Sequence, residues 1–354
     1  MQIYSPLKFL RFNEKLESIR LEKVTAPIHI RIKPTNMCNH NCWYCAYRND
    51  NLSLGDEMLE VDSIPHDKLE EIVRDAVRMN VRAVTFSGGG EPLLYKKLPE
   101  ILEQLFNGGI KVGALSNGSN LKGKMAQAFS KYGTWIRISV DAWNNDSYSK
   151  SREIKDGAFT SLLDNLSNFS DLNSTCILGI SFIVNKDNYQ NLFEACSIFK
   201  KCGVSHIKIS GAIISDDLLK NKAYHKDIKY IVNRQIELSK KQLESARFKI
   251  FNHYHDIDKL FLKKYHSCYF INYLVVIGAD QNLYTCQDKT YTSKGLIGSL
   301  INTNLYDLWN SETTKRFIHS FDPAKNCQHH CVAHAKNLAI EEYLSLNNSH
   351  AYFV

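Results

Sequence analysis

The chain has 354 residues, of which 44% are hydrophobic and 23% charged, and its formal net charge is +7. These values fit an ordinary globular protein with room for one large domain and one small one. No apolar run is long enough to cross a bilayer, and the first residues lack the basic and apolar pattern of a secretory signal. We therefore predict a cytoplasmic protein with no membrane partner. The positive charge is dispersed and no nucleic-acid-binding motif occurs, so we also predict no nucleic-acid partner.

Residues 28–210 alternate between strand-like and helix-like segments, beginning with a period-two pattern. Strands are predicted at 28–33, 81–86, 110–115, 135–140, 177–184 and 207–210. Apolar helix faces are predicted within 69–77, 98–105, 159–166 and 192–199. Repeated β–α units imply parallel strands with the helices outside. Six such units are too few for an eightfold barrel, so the predicted fold is α/β with a partial (β/α)6 barrel.

The predicted domain organisation starts with a short N-terminal extension at 1–27, followed by the barrel at 28–215. A helical connection rich in lysine is predicted at 216–260. The pattern then changes, because 273–277 and 283–285 flank a turn and indicate a β-hairpin. A second, smaller α+β domain is therefore predicted at 261–354.

Ten cysteines in a chain without an export signal favour metal binding over disulfides, because the cytosol keeps thiols reduced. Cys38, Cys42 and Cys45 form a C-x3-C-x2-C motif in the loop after the first predicted strand. Three thiolates can converge on one cubane 4Fe–4S cluster and leave one iron open. Zinc with His40 as a fourth ligand is the alternative, although structural zinc usually takes two separated pairs of ligands.

An aromatic residue, Tyr44, stands directly before the third cysteine, and Gly89-Gly90-Glu91 follows the second predicted strand. In residue type, spacing and order, these features resemble the two hallmarks of the radical S-adenosylmethionine (radical SAM) enzymes. The resemblance covers residues 28–215. It implies that Cys38, Cys42 and Cys45 hold the catalytic cluster and that SAM completes the open iron.

The resemblance also implies a set of contacts to SAM. Gly89, Gly90 and Glu91 would bind its amine, because a carboxylate suits an ammonium group and glycine lets the backbone come close. The other implied contacts are Ser116 and Asn117 to the ribose, Ser139 and Asp141 as further polar contacts, Arg152 to the carboxylate, and Tyr44 beside the adenine. The alternatives are a surface ion pair of Arg152 with Glu153 or Asp156 and a packed core position for Tyr44.

A second set consists of Cys268, Cys286, Cys327 and Cys331. Zinc is a closer competitor here, because two groups of cysteines can complete a tetrahedron. The stretches 295–300 and 308–311 resemble the C-terminal SPASM and twitch domains of radical SAM enzymes. That resemblance implies a twitch-type domain with one auxiliary 4Fe–4S cluster, which four cysteines would ligate completely.

The sequence also gives predictions for several other residues near these motifs. In the predicted hairpin turn, Gln281 stands where a glycine is expected, and His329 and His330 are expected to be exposed. The remaining cysteines are interpreted as structural, since free cysteine behaves as a small buried hydrophobe; they are Cys176, Cys196 and Cys202.

Together, these features predict an enzyme that cleaves SAM reductively to a 5′-deoxyadenosyl radical and removes a hydrogen atom from a small molecule. By analogy with single-cluster twitch enzymes, we expect an oxidoreductase-type reaction, the oxidation or epimerisation of a sugar or cyclitol. An external electron donor such as a flavodoxin or ferredoxin is expected. The sequence identifies no catalytic side chain.

Two alternatives stay open. Many relatives with auxiliary clusters are maturases of ribosomally made peptides, and these often carry a leader-binding domain ahead of the barrel. Only 27 residues precede the first predicted strand, too few for that domain, although a partner protein could supply it. The second alternative is a non-catalytic iron–sulfur or zinc-binding protein.

Overall fold

A computed structural model describes residues 3–254, 261–347, 349–350 and 353. In this part of the chain, ten strands form one sheet. The strands are β1 (His29–Ile32), β2 (Ala83–Phe86), β3 (Lys111–Ser116), β4 (Trp135–Ser139), β5 (Ile177–Val184), β6 (His206–Gly211), β7 (Lys249–Asn252), β8 (Leu274–Ile277), β9 (Asn282–Tyr284) and β10 (Leu296–Ser299).

The order of strands in the sheet is β10-β9-β8-β1-β2-β3-β4-β5-β6-β7. Each strand from β1 to β7 runs parallel to its neighbours in this series, which confirms the predicted α/β fold with a partial barrel. All six predicted strands are present. The structure adds β7, which pairs with β6 inside the segment predicted as a helical connection. Residues 255–260 of that connection lie outside the described residues.

Helices cover the outer side of the parallel strands and much of the C-terminal region. Their bounds are α1 (Asn13–Arg20), α2 (His66–Arg78), α3 (Leu98–Asn107), α4 (Gly123–Tyr132), α5 (Asn145–Arg152), α6 (Ala158–Asp171), α7 (Leu192–Lys201), α8 (Leu218–Lys226), α9 (Lys229–Leu243), α10 (Leu305–Asn310), α11 (Glu312–Ser320), α12 (Pro323–Asn326) and α13 (His334–Ser345). The four predicted helices correspond to α2, α3, α6 and α7. Among the described residues, none of the helices has the length and apolarity to traverse a lipid bilayer.

The helices α4 and α5 are not predicted from the sequence. α5 has a polar sequence without an apolar stripe, and a capping box formed by Asn144 and Ser147 fixes its first turn. α4 is short, and it buries Met125 and Phe129 against the barrel. Both helices complete β–α units, so they keep β3, β4 and β5 parallel.

The barrel strands turn apolar side chains toward the helices and polar ones toward the concave side of the sheet. Ile30 and Ile32 are completely buried in the main core, and His29 and Arg31 alternate with them on the opposite side. An added Cβ at Gly113 of β3 would lie 2.2 Å from the indole of Trp135. The concave side is therefore lined by polar and aromatic groups and defines a lumen.

The N-terminal extension connects this lumen to the C-terminal region. The Tyr4 hydroxyl accepts a hydrogen bond from Nη1 of Arg137 at 2.9 Å and pairs with Nε2 of His206 at 2.9 Å. Residues of α1 pack in a separate apolar cluster with Tyr273 and with Ile340 of α13. Side chains from β4 and β6 therefore converge on one N-terminal tyrosine.

The predicted hairpin is present as the antiparallel pair of β8 and β9. β8 also pairs in parallel with β1, with His29 opposite Leu274, so the C-terminal strands extend the barrel sheet. Gln281 in the hairpin turn has a φ of +62°. This left-handed conformation is the reason why glycine is the expected residue at that position.

Candidate functional site

Three loops meet at the carboxyl ends of β1, β2 and β3. The cysteine loop, residues 36–48, accepts a hydrogen bond at Met37 O from the backbone N of Glu91, at 2.9 Å. Glu91 belongs to the glycine-rich loop, residues 88–91. After β3, Nδ2 of Asn117 donates to Oδ1 of Asn39 at 2.8 Å. The cysteine loop is therefore held in place by the ends of the two neighbouring strands.

The cysteines of this loop are half-buried and close to one another. The backbone N of Cys45 donates to the carbonyl of Cys42 at 3.0 Å. Burial raises the pKa of the Cys38 thiol to about 11, and the charge of Cys42 adds to the effect. Burial and then the charge of Cys42 also raise the pKa of Cys45. A metal bound by these thiols would have to displace their protons, so binding would be favoured at higher pH.

The carboxylate of Glu91 is buried and already accepts three hydrogen bonds from the chain. Oε1 accepts from the backbone N of Leu93 at 2.9 Å and from Oγ of Ser116 at 2.7 Å. Oε2 accepts from the backbone N of Asn117 at 2.6 Å. The structure thus brings together the residues predicted to contact the SAM amine and ribose, but it bonds them to one another. Glu91 fixes the end of β3 against the glycine-rich loop.

Gly89 and Gly90 lie against the cysteine loop. An added Cβ would lie 2.0 Å from Oδ1 of Asn36 at Gly89, and 2.1 Å from the carbonyl oxygen of Met37 at Gly90. At Gly90 only glycine allows this approach without displacement of backbone, whereas at Gly89 the side chains of Asn36 and Met58 would have to move. The close backbone contact predicted for these glycines is made with the residues that precede Cys38.

Arg152, Asp141 and Tyr44 form a buried polar cluster beside the cysteine loop. Nη2 of Arg152 and the hydroxyl of Tyr44 each donate to Oδ2 of Asp141 at 2.8 Å. Nη1 of Arg152 donates to Sγ of Cys42 at 3.4 Å, and the Arg152 carbonyl accepts from the backbone N of Asn41 at 2.9 Å. Arg152 is only 4% exposed, so the alternative of a surface ion pair is wrong.

Ser139 differs from the other predicted SAM contacts because its hydroxyl is not engaged. It is half-buried at the carboxyl end of β4, in register with Ser181 of β5. Its side chain makes no hydrogen bond with any residue that the structure describes. The hydroxyl is therefore available to a ligand at the mouth of the barrel.

The cysteines of the second set come from the two ends of the β8–β9 hairpin and from the turn between α12 and α13. Cys327 and Cys331 are buried, and Cys268 and Cys286 are half-buried. Burial raises the pKa of the Cys286 thiol well above its usual range, followed by the charges of Asp288 and of the three other cysteines. The Cys286 thiol therefore lies within electrostatic reach of the other three.

In each cysteine set, one ring nitrogen of a histidine from the same segment is buried and has no hydrogen-bond partner among the described residues. His329, expected to be exposed, is only 6% exposed. Its Nε2 and the Nδ1 of His40 are buried and have no hydrogen-bond partner among the described residues. Nδ1 of His329 donates to the carbonyl of His330 at 2.6 Å, so Nε2 of the neutral ring is an acceptor. Nδ1 of His40 can donate in one tautomer, and it would then fit a group that accepts hydrogen bonds, as the sulfurs of iron–sulfur clusters do.

The spacing of these ligands differs from that of a single-ion site. Among the described residues, no group of three His, Cys, Asp or Glu side chains is close enough to bind a single metal ion. The cysteines of a cubane each bind a different iron and are spread more widely than ligands of one ion.

Sequence reasoning missed the cations of the lumen, Arg31 and Lys33 from the β1 segment and Arg137 from β4. Nζ of Lys33 donates to the carbonyl of Gly88 at 2.6 Å and to the hydroxyl of Tyr47. The sequence pattern that could have revealed Arg31 and Lys33 is the alternation of isoleucine with basic residues in 28–33. A barrel strand that turns its isoleucines to the helices turns the alternate residues inward.

Comparison with known families identifies both parts of the chain. Residues 32–192 match the radical SAM superfamily, and residues 268–332 match the SPASM iron–sulfur cluster-binding domain. The chain therefore contains a radical SAM domain followed, toward its C-terminus, by a SPASM domain. These two domain matches imply SAM and iron–sulfur clusters as cofactors.

Curated relatives match part of the chain. Over 161 residues it is 26% identical to an S-adenosylmethionine-dependent nucleotide dehydratase of Lacinutrix mariniflava, with 44% of this chain and 32% of that protein covered. Over 121 residues it is 33% identical to a probable GTP 3′,8-cyclase of Methanococcus maripaludis, with 34% and 38% covered. The match thus spans about a third of the length of these relatives.

Solved structures show the same architecture over most of the chain. Streptococcus suis SuiB bound to S-adenosylmethionine superposes with a TM-score of 0.62 at 16% identity, covering 94% of this chain and 80% of that one. SuiB bound to precursor peptide SuiA gives a TM-score of 0.61 at 16% identity, covering 94% and 78%. At this identity the likeness shows the fold, a radical SAM partial barrel with a C-terminal SPASM domain.

Proposed function

We propose that the protein reductively cleaves SAM to a 5′-deoxyadenosyl radical and removes a hydrogen atom from a small-molecule substrate, which is oxidised or epimerised. The attachment of the cysteine loop to the segments that follow β2, β3 and β4 carries the proposal. Met37 O, Asn39 Oδ1 and Cys42 Sγ each accept a hydrogen bond from one of those segments. The three thiols thus sit at the mouth of the barrel, where enzymes with related barrels carry out their chemistry.

Cys38, Cys42 and Cys45 would hold the first 4Fe–4S cluster, with one iron left open for SAM. When bound, the cluster and SAM supply the radical chemistry, and the protein supplies position and environment. Arg152 places a positive charge and an N–H donor on Cys42. We propose Ser139 as a direct contact to SAM.

The remaining residues predicted to contact SAM would shape its site through the bonds that they make within the chain. Those residues are Tyr44, Gly89, Gly90, Glu91, Ser116, Asn117, Asp141 and Arg152. By holding three loops and the end of α5 in fixed positions, they would keep the mouth of the barrel in one geometry, which favours productive orientation of the substrate.

Cys268, Cys286, Cys327 and Cys331 would hold the second 4Fe–4S cluster, within a domain that we place at 261–354. Four thiolates leave no iron open, so this group would supply electron transfer and not a substrate site. An oxidation fits that arrangement, since the substrate would lose a hydrogen atom and then one electron and one proton. We propose a flavodoxin or ferredoxin of the cytoplasm as the donor of the electron that cleaves SAM.

A sugar or cyclitol is the first substrate class that we propose. A peptide is the second, because SuiB, which shares this fold, binds a precursor peptide. Formation of 5′-deoxyadenosine that depends on an added sugar, or instead on an added peptide, separates the two classes.

The experiment is an anaerobic assay of cluster-reconstituted protein with SAM and a strong reductant. We expect 5′-deoxyadenosine from the wild type and none from Cys38→Ala, which should also lose about four irons. Cys176→Ala is the control, because this buried cysteine lies before β5 and belongs to neither set. Protein without iron, or with iron but without any SAM cleavage, would instead be the non-catalytic zinc or iron–sulfur protein.

A further inference from the structure

Among the basic side chains on the concave side of the sheet are Arg31, Lys33 and Arg137, which the proposed function does not use. Arg31 lies on β1, and Lys33 is the first residue after that strand. Arg137 lies on β4. β1 and β4 are separated by two strands in the sheet. Burial is the main cause of the lowered pKa of Arg31, and the charge of Arg137 lowers it further. The two guanidinium groups therefore share the concave side of the sheet.

None of these cations has a carboxylate partner among the described residues. Arg31 makes no side-chain hydrogen bond there, and its Nε is buried. Arg137 donates from Nη1 to the hydroxyl of Tyr4 at 2.9 Å, but its Nε is also buried without a partner. Lys33 donates to a carbonyl and to a phenol hydroxyl, which are neutral acceptors.

Arg31 also lies within electrostatic reach of the cysteine loop and of the second cysteine set. Against the larger effect of burial, its pKa is raised by the charges of Tyr47 in the cysteine loop, of Asp288 and of Cys286 in the second set. Ser87, which follows β2 beside β1, has a buried Oγ without a partner in the described chain. Two unpaired donors, Nε of Arg31 and Oγ of Ser87, therefore lie on neighbouring segments of the sheet, β1 and the residue that follows β2.

Burying a cation without an anion beside it is costly, so an anion that completes the site would be bound favourably. We propose that the lumen site, defined by Arg31, Lys33 and Arg137, binds an anionic oxygen group of the substrate, a phosphate or a carboxylate. The guanidinium fork can donate two parallel hydrogen bonds to either group. This inference rests on the proposed function and narrows its substrate from a neutral sugar or cyclitol to a phosphorylated or carboxylated small molecule.

The test is calorimetric titration of the cluster-reconstituted enzyme, with SAM present, using inorganic pyrophosphate and, separately, glutarate. We expect the wild type to bind at least one of them, and Arg31→Gln to weaken that binding by about tenfold or more. Arg31→Lys should bind with intermediate affinity, because it keeps the charge and loses the fork. Arg82→Gln, at an exposed position before β2, is the control and should bind like the wild type.

Preference for pyrophosphate would identify a phosphate group, and preference for glutarate a carboxylate. The proposal is overturned if the wild type binds neither probe, or if wild type, Arg31→Lys and Arg31→Gln bind equally. It is also overturned if anion binding persists in Arg31→Gln while the potential of the second cluster shifts, since Arg31 would then only balance the charge of that cluster. Iron content checks the integrity of each variant. Anion binding requires no SAM cleavage, so this result is independent of the 5′-deoxyadenosine assay.

Discussion

Arg152 and Asp141 form a buried ion pair in which Nη2 lies 2.8 Å from Oδ2. The same guanidinium donates through Nη1 to Sγ of Cys42 at 3.4 Å. Oδ1 of Asp141 accepts from the backbone N of Ile183 on β5. The pair therefore joins α5 and β5 to the cysteine loop. Hydrogen bonds to ligand sulfurs help to set the potential of an iron–sulfur cluster, so this link would affect both folding and reduction.

Replacing Arg152 with Gln should destabilise the metal-free protein strongly. The change leaves the Asp141 carboxylate buried without a counter-charge, and we expect the free energy of unfolding to fall by about 3–5 kcal/mol. Urea titration measures the difference. Arg20→Gln is the control, because Arg20 pairs with Glu17 at the surface, where an ion pair adds little. An equal decrease in the free energy of unfolding of both variants would show that the buried pair stabilises the protein no more than a surface pair does.

Replacing Glu91 with Gln tests whether this residue acts only through SAM. Its carboxylate accepts hydrogen bonds from Leu93, Ser116 and Asn117. An amide would turn an NH2 group toward one of these donors, so we expect a loss of about 1–3 kcal/mol in the unfolding free energy without SAM. A variant with unchanged stability and weakened SAM affinity would mean that the residue is a ligand contact alone.

Most of the barrel could be predicted from the sequence because apolar periodicity is a local signal. Residues 28–33 and 177–184 show it clearly, and both contain strands. β7 directly follows a charged stretch that is predicted to be helical, and α5 has no apolar stripe, so neither produces a pattern above its surroundings. The parallel pairing of β8 with β1 joins residues far apart in the chain, and no local pattern encodes it.

The candidate site could be located from the sequence, but its internal bonds could not. The cysteine spacing and the stretch Gly89-Gly90-Glu91 are local motifs and point to one edge of the barrel. The partner of Arg152 is Asp141, and that of Glu91 is the end of β3. Which buried polar groups pair depends on the register of neighbouring strands. The assignment of individual residues to SAM and to the clusters therefore stays a prediction.

The stability of the metal-free protein should depend on pH through His206. Burial and then the charge of Arg137 lower its pKa from 6.5 to about 4. The unfolded chain therefore binds a proton in the window where the folded protein does not, and stability falls as the pH drops from 6.5 to 4. At about 1.4 kcal/mol for each unit, this group contributes about 3 kcal/mol across the window.

His206→Gln should make that fall shallower, and His319→Gln, at an exposed position of α11, should not. Urea titrations of the three proteins at pH values across this window provide the measurement. Carboxylates and other buried histidines affect all three proteins alike, so the comparison rests on differences in slope. Identical slopes for wild type and His206→Gln would mean that protonation of His206 costs the folded protein nothing.

Replacing Gly90 with Ala should damage the first cysteine set specifically. The added Cβ would lie 2.1 Å from the carbonyl oxygen of Met37 and 2.4 Å from backbone atoms of Asn36, so the segment leading to Cys38 must move. We expect overpacking to lower the unfolding free energy by about 1–3 kcal/mol. Reconstituted protein should also lose about four irons, because Cys38 no longer meets the other two thiols.

Gly109→Ala is a matched control for this change. An added Cβ there meets nothing within 4 Å, but φ is +76°, so alanine is strained without any clash. We expect a loss of about 1–2 kcal/mol from that left-handed conformation and full iron content. Iron analysis and urea titration of both variants separate a general loss of stability from displacement of the cysteine loop. If Gly90→Ala retained all its iron, the contact of the glycine-rich loop with Met37 would not be what positions Cys38.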